Sequence, residues 1–557
     1  MKPWHLPLVI LVNFLLLYPF RIWLSKSFLL TRKTPSITPI DLAVLVVMAI
    51  LFGFLFCQIW NSWVQKKLQT FRQLIQKPSP SHWTLFIFTV AFLLRLCWTL
   101  SHSLIFGSWT AHSDLLYPTL AQNLLSHKGF FLSQGATALF PPAYPFFLSI
   151  SYYFFGIGND LAARVGNVLL SAGIVVSSYW LFRRLMGESV ARLASLILAL
   201  SWHQIFYCDR LILECALTLT TLGILYFSIP PRPKILLVST GIVALSLAWI
   251  IAVYGYSGPI AILALSLFTL TLLAMRLFPT IKEEIALGIL VGLALLVKPI
   301  FMFYPLVLFF LDSLDHRNWI SSIQKAGVVF LIMILTISPW LVRNFLIFKT
   351  PTFVMTSGGV CLWEFNEALL KSVDPEHEKM RVYHRQVTAL MIGNVLQEKE
   401  PDPRLLMDVN EAQAEKILRK RALSFLEVSL VKYPIQTMTF FAKKALSFLL
   451  NPLGPVVEQL FRYCLWPYEK PWQWFSYLTL QLGNQFFYNC FFLLAVWGIM
   501  DVTRNLKDKK GLIPLIMIFY FLIFLLPFAP MERYRFPIWP FVYVYVAHAL
   551  VRLDRSL

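Results

Sequence analysis

The chain has 557 residues, of which 58% are hydrophobic and 14% charged, and its mean hydropathy is +0.67. These values exclude an ordinary soluble globular protein and indicate an integral membrane one. A formal charge of +20 would suggest nucleic acid in a soluble chain, but no ordered basic and aromatic pattern supports that here. It reads instead as cytoplasmic loops obeying the positive-inside rule. The seven cysteines show no metal-ligand spacing, and most sit in or beside apolar runs, where cysteine acts as a small hydrophobe.

Taken in order, the first apolar runs of spanning length are residues 6–24, 40–60 and 83–100, each near the ~20 residues a helix needs to cross a bilayer. The first has no small-residue cleavage site and reads as a retained anchor. Lys66, Lys67, Arg72 and Lys77 precede the third run, so its start is expected in the cytoplasm and its end outside. Beyond it comes an outer loop, residues 101–160, carrying Asp114 and the stiff aromatic segment Phe140-Pro141-Pro142-Ala143-Tyr144-Pro145. That segment is expected to lie along the bilayer surface.

Residues 161–182, 190–207 and 213–229 then alternate across the membrane, followed by 235–254 and 259–277. Two shorter apolar pieces, 285–297 and 300–314, meet at Lys298-Pro299 on the outer side, and 327–340 exits again. Between Glu364 and Glu415 lie eleven of the 28 acidic residues, a density no bilayer interior accepts. This part is expected to be a small exported domain, with an amphipathic stretch over 422–450 resting on the membrane surface. Three last runs follow, 488–500, 513–528 and 537–551. The connection between the runs 6–24 and 40–60 carries Lys26, Arg32 and Lys33 and is as basic as the next, which leaves open whether both of them span; the expected total is about thirteen spans.

On this topology the cytoplasmic basic residues cluster. The outer ones are isolated: Lys128, Arg164, Arg210, Lys298, Arg343, Arg533 and Arg535. Outer acids outside the inserted domain are few, namely Asp114, Asp160, Asp209, Glu214 and Glu532. Sparse carboxylates beside isolated cations at a membrane surface suit one chemistry well. When a hydroxyl displaces a lipid phosphate from a sugar, a base takes the hydroxyl proton and positive charge receives the phosphate. Arginine fits the second role because its planar fork matches phosphate oxygens and stays charged.

The motifs Ser113 to Tyr117, Ala121 to Leu125, Lys128 to Phe130, Phe140 to Pro145, Gly292 to Pro299, Ser338 to Asn344, Ser357 to Trp363 and Glu532 to Pro537 follow one another in an order that resembles the GT-C glycosyltransferases. The likeness is to bacterial relatives of the dolichyl-phosphate-mannose protein mannosyltransferases and of the lipid A aminoarabinose transferase, and it runs from about Ser81 to the end. The resemblance implies an all-α polytopic bundle of about 12–14 membrane helices, with interfacial helices in the first outer loop and a mostly helical exported insertion. The domain division is then 1–80, an N-terminal extension; 81–341, the catalytic membrane module; 342–480, extracytoplasmic; and 481–557, the last helices.

By the same resemblance Asp114 is the catalytic carboxylate and Glu214 the second acid, with Asp209 as its competitor. The family often places an acidic pair in the first loop, whereas Leu115 follows Asp114 here. Arg533, Tyr534 and Arg535 correspond to a phosphate-contacting site, with Lys298 and Arg343 next and Tyr144 as a substrate-facing ring. Trp340 and Trp363 are further stacking candidates, and His112 is weighed as a ligand against a plain surface histidine. No cofactor is assigned, and a divalent cation is left open.

The expected activity is inverting transfer of a sugar from an undecaprenyl-phosphate type donor to a lipid, glycan or protein hydroxyl, on the outer face of a bacterial inner membrane. The alternatives are a flippase for a lipid-linked sugar and a ligase or polymerase using a diphosphate donor.

Overall fold

The computed structural model describes residues 78–106, 112–132, 135–232, 235–236, 238–243, 266, 269–270, 272–315, 319–364, 366, 410–450, 488, 490–504, 509–528 and 532–556. The expected spans 6–24 and 40–60, most of 235–277 and most of the acidic insertion lie outside the described residues.

What is described is helical, apart from one two-residue antiparallel ladder pairing Phe131 with Ala136 and Leu132 with Gly135. The fold class is therefore all-α, as expected. Among the described residues three helices are long and apolar enough to cross a membrane, or four if one bent pair forms a single span.

The first, α1 (Pro80–Phe106), starts where a serine–proline pair favours it. Ser79 Oγ accepts from the His82 amide at 3.3 Å, and Pro80 occupies the first turn, where its missing N–H costs nothing. The expected outer loop folds into α2 (His112–Leu125), the strands β1 (Phe131–Leu132) and β2 (Gly135–Ala136), and α3 (Ala143–Phe155). Next come α4 (Asp160–Met186), which packs against α1 and α3, and α5 (Glu188–Leu200).

Residues 190–207 are not one straight span. The chain bends by 52° between α5 and α6 (Trp202–Cys208). A broken helix leaves carbonyls without intrahelical partners, which must be satisfied inside the protein. Arg95, fully buried on α1, does this. It donates to the carbonyls of Leu198 at 3.2 Å and Ala199 at 3.0 Å, and to Ser171 Oγ at 2.7 Å. The periodicity of the apolar run could not reveal the break, because the residues on both sides of it are equally apolar.

The middle of the bundle is made by α7 (Glu214–Ser228), α8 (Lys282–Leu295), a 3-10 turn (Pro299–Phe303), α9 (Tyr304–Asp315) and α10 (Trp319–Phe348). Helix α10 starts earlier and ends later than the expected 327–340. It crosses α8 closely because Gly288 and Gly292, one turn apart, leave room. A Cβ on either would lie 2.6 Å from the Cβ of Ile332 or Thr336, respectively, the close small-residue packing that membrane helices favour.

The segment expected to be exported contributes α11 (Gly358–Glu364), α12 (Glu411–Lys432) and α13 (Pro434–Leu450). The expected amphipathic stretch 422–450 is thus two helices, separated at Tyr433 because Pro434 supplies no amide to continue the first. Helix α14 (Ile513–Leu525), a 3-10 turn (Glu532–Arg535) and α15 (Trp539–Ser556) complete the described chain.

Helices α7 and α8 pack together in opposite senses. Glu214 and Lys298 fall at one end of the pair, and Ser228 and Glu284 fall together at the other. Fourteen residues at 1.5 Å each separate these ends by about 21 Å.

Candidate active site

Glu214 opens α7, where the partial positive charge of a helix start favours a carboxylate. It is 2% exposed. Its Oε1 stands 3.6 Å from Arg533 Nε, while Oε2 is buried with no hydrogen-bond partner among the described residues. Arg533 Nη2 donates to the Tyr534 hydroxyl at 3.3 Å. Across the face of that ring, 3.7 Å from its centroid, sits Lys298 Nζ. Tyr534 is therefore held between two cations, an arrangement its π face stabilises.

Lys298 lies beyond the end of α8. Burial pushes its ammonium down to about 8; the Glu214 carboxylate opposes that shift and Arg533 adds to it. The cluster thus carries two cations and one buried carboxylate, supplied by three separate parts of the chain.

Tyr117 closes one side. It is buried on α2, close enough to Glu214 and Arg533 to feel both charges, and it packs edge-on against Tyr144 at 5.1 Å. The Tyr144 hydroxyl is engaged by Asn167 Nδ2 at 2.9 Å, which makes Tyr144 a support behind Tyr117. Asp114 lies in the first turn of α2, three residues before Tyr117 and so about one turn from it. The side chains of Asp114, His112 and Trp363 are outside the described residues.

The remaining expected residues separate into other environments. Asp209 has its own partners, Arg164 Nη1 at 3.4 Å and His102 Nδ1 at 2.8 Å, whereas Glu214 faces Arg533. Arg535 is two residues past Arg533 on a three-residue turn and points elsewhere. It is 4% exposed, donates to the Tyr488 hydroxyl at 3.3 Å and lies beside the Phe448 ring.

Arg343 is buried and donates to the Thr137 carbonyl at 2.8 Å and the Phe130 carbonyl at 3.1 Å. These carbonyls flank the β1–β2 hairpin, so Arg343 fastens that hairpin to α10. Trp340 stacks on Arg343 at 4.7 Å and donates to the Val354 carbonyl. From the other side Glu411, at the start of α12, accepts from the Ala138 amide at 2.9 Å and Thr137 Oγ1 at 2.8 Å.

Sequence reasoning did not single out Tyr117 or Glu411. Tyr117 was within reach, since it ends the Ser113 to Tyr117 motif one turn after Asp114. Glu411 had no local signal, being one acid among many in the insertion. Among the described residues, no group of three His, Cys, Asp or Glu side chains could hold a metal ion.

No family model matches the chain, and no curated protein matches it. Among solved structures it is similar to the archaeal oligosaccharyltransferase AglB from Archaeoglobus fulgidus in complex with an inhibitory peptide and a dolichol-phosphate. That match has 14% identity, 86% of this chain and 51% of that one covered, and a TM-score of 0.41. The apo form of the A. fulgidus oligosaccharyltransferase matches at 14% identity, 85% and 51% coverage, and a TM-score of 0.42. ArnT from Cupriavidus metallidurans bound to undecaprenyl phosphate matches at 14% identity, 85% and 78% coverage, and a TM-score of 0.34. The chain spans about half the length of the oligosaccharyltransferase it matches.

Proposed function

We propose that this chain is a membrane glycosyltransferase of GT-C type that moves a sugar from a polyprenyl-phosphate donor to a hydroxyl acceptor on the extracytoplasmic face, with inversion. The observation that carries the reading is the convergence of Lys298, Arg533 and Tyr534 on the buried carboxylate of Glu214, with α2, whose first turn carries Asp114, alongside.

The roles follow from chemistry. Lys298 and Arg533 receive the negative charge that develops on the departing lipid phosphate, and the Tyr534 hydroxyl offers a hydrogen bond to the same oxygens. Asp114 takes the acceptor hydroxyl's proton or holds that hydroxyl in line. Glu214 keeps the two cations aligned until the phosphate arrives. The donor is insoluble in water, so the site stands at the end of membrane helices, where the lipid can enter sideways. The reading places this end of α7 and α8 on the periplasmic side of a bacterial inner membrane.

The test is Asp114→Asn in the purified full chain, supplied with a polyprenyl-monophosphate sugar. Transfer falls by two or more orders of magnitude while the thermal unfolding midpoint stays put; retained transfer removes Asp114 as the base. Running monophosphate and diphosphate donors side by side separates this enzyme from a polysaccharide ligase or polymerase.

A flippase would use mid-membrane charges and broken helices, and Arg95 and the α5–α6 bend have that look. Arg95, however, bonds to Ser171 Oγ and to carbonyls at the bend itself, which gives it a structural use. Movement of the lipid without glycosidic bond formation would favour the flippase.

A further inference from the structure

At the far end of α7 and α8 from Glu214 and Lys298 is a pocket that the transfer chemistry does not use. Its charged lining comes from four parts of the chain: Arg232, Glu284, Asp312 with Lys325, and the pair Lys509 and Lys510. Four of these residues are basic and two acidic.

Both carboxylates are engaged. Arg232 Nη1 binds Glu284 Oε1 at 2.8 Å and lies 3.6 Å from Glu283. Asp312 accepts from Lys325 Nζ at 2.9 Å and from Ser322 Oγ at 2.6 Å. Arg184 donates to the carbonyls of Tyr226, Ile229 and Pro231, and so fixes the turn that delivers Arg232. The side chain of Arg232 is nine-tenths buried. Its Nε is enclosed with no hydrogen-bond partner among the described residues, a donor to which those residues offer no acceptor. Lys509 and Lys510 line the same pocket and are exposed.

The rest of the lining tells a lipid from a soluble anion. Ser322, Lys325, Ala326 and Val329 present one face of α10 to the pocket, as their spacing of three and four residues requires. Ile320 and Ile323, turned away from that face, are 53% and 49% exposed, and Trp319, at the start of the helix, is 61% exposed. Exposed tryptophan and isoleucine beside a lysine mark the level of a membrane interface. Leu308, Leu311 and Ile513 give the pocket an apolar wall next to its charges. A ligand that fits has an anionic head and an apolar body.

We propose that this pocket binds the headgroup of an anionic phospholipid from the leaflet opposite the Glu214 site, with the phosphate on Arg232, Lys509 and Lys510 and the glycerol backbone against the leucines. The site does not depend on the glycosyltransferase reading.

The test is native mass spectrometry of the purified full chain titrated with phosphatidylglycerol, phosphatidylcholine or inorganic phosphate, repeated for Lys509→Gln/Lys510→Gln. A lysine near a membrane surface is worth about fivefold in affinity for anionic lipid. The double variant therefore loses about 25-fold for phosphatidylglycerol and is unchanged for phosphatidylcholine. Both lysines are exposed, so the variant keeps its fold; Arg232→Gln, expected to weaken phosphatidylglycerol in the same way, is an independent second probe. Equal wild-type affinity for the two lipids, or a double variant that binds phosphatidylglycerol as wild type does, overturns the proposal. So does displacement of phosphatidylglycerol by millimolar inorganic phosphate, which would identify a soluble anion as the ligand.

Discussion

Replacing Glu214 by glutamine separates the two jobs a buried carboxylate could have in this cluster. At 3.6 Å from Arg533 Nε and an effective permittivity of about 20, the pair attract by about 5 kcal/mol before desolvation is counted. Glutamine keeps the shape and removes that attraction, leaving Lys298 and Arg533 with more positive charge to offer a phosphate. The donor KM is then unchanged or lower. Turnover falls by about a hundredfold or more, because the cations are no longer aligned with the scissile bond and tighter ground-state binding does not accelerate the chemistry. The assay is single-turnover transfer from a polyprenyl-phosphate sugar in detergent micelles, with the unfolding midpoint as a fold control. A variant with wild-type turnover, or one whose only change is a raised KM, refutes the assignment of Glu214 to this role.

Three further outcomes follow. Lys298 in the unliganded protein titrates at about 8, below its ordinary 10.5, chiefly because it is buried; kcat/KM for the donor therefore falls as pH rises through about 8, and Lys298→Arg moves that inflection upward. The unfolded chain holds this proton to higher pH than the folded one, so between about 8 and 10.5 the Lys298 contribution to stability rises with pH, and wild type minus Lys298→Met in thermal unfolding checks the sign. Glu415 on α12 accepts from the Gly359 amide at 2.5 Å, and burial raises its carboxyl from 4.5 to about 7. Its stabilising effect on the α11–α12 contact is complete below pH 4.5 and gone above about 7; hydrogen exchange at 358–364 should speed up across that window, and Glu415→Gln should flatten the profile. Gly292→Val drives a side chain into Thr336 and the Met333 carbonyl and should destabilise the α8–α10 crossing by ~1–3 kcal/mol, seen as a lowered unfolding midpoint; an unchanged midpoint would mean the helices can separate freely.

The membrane class and the approximate positions of the helices could be read from the chain because both depend on local quantities. An apolar run of spanning length declares itself in any neighbourhood, and α4 and α15 fall close to where their runs place them. The limits of helices depend on more. That 190–207 breaks at Ser201 depends on Arg95 being present across the bundle to satisfy the freed carbonyls, and α10 runs on at both ends past its expected apolar stretch.

The site divides in the same way. That Glu214, Lys298 and Arg533 are unusual could be seen in the rarity of charge at what the sequence reads as an outer membrane edge, whereas Tyr534 was singled out by the family resemblance alone. Which of Glu214 and Asp209 faces Arg533, and which of Arg533, Arg535 and Arg343 faces Glu214, could not be read from the chain alone. Each choice rests on partners far away in sequence: Asp209 on His102 and Arg164, Arg343 on the carbonyls of Phe130 and Thr137, Arg535 on Tyr488. Rarity and hydropathy are properties of a segment. The direction a side chain points, and the charge it meets there, are properties of the packed bundle, and only the tertiary structure decided them.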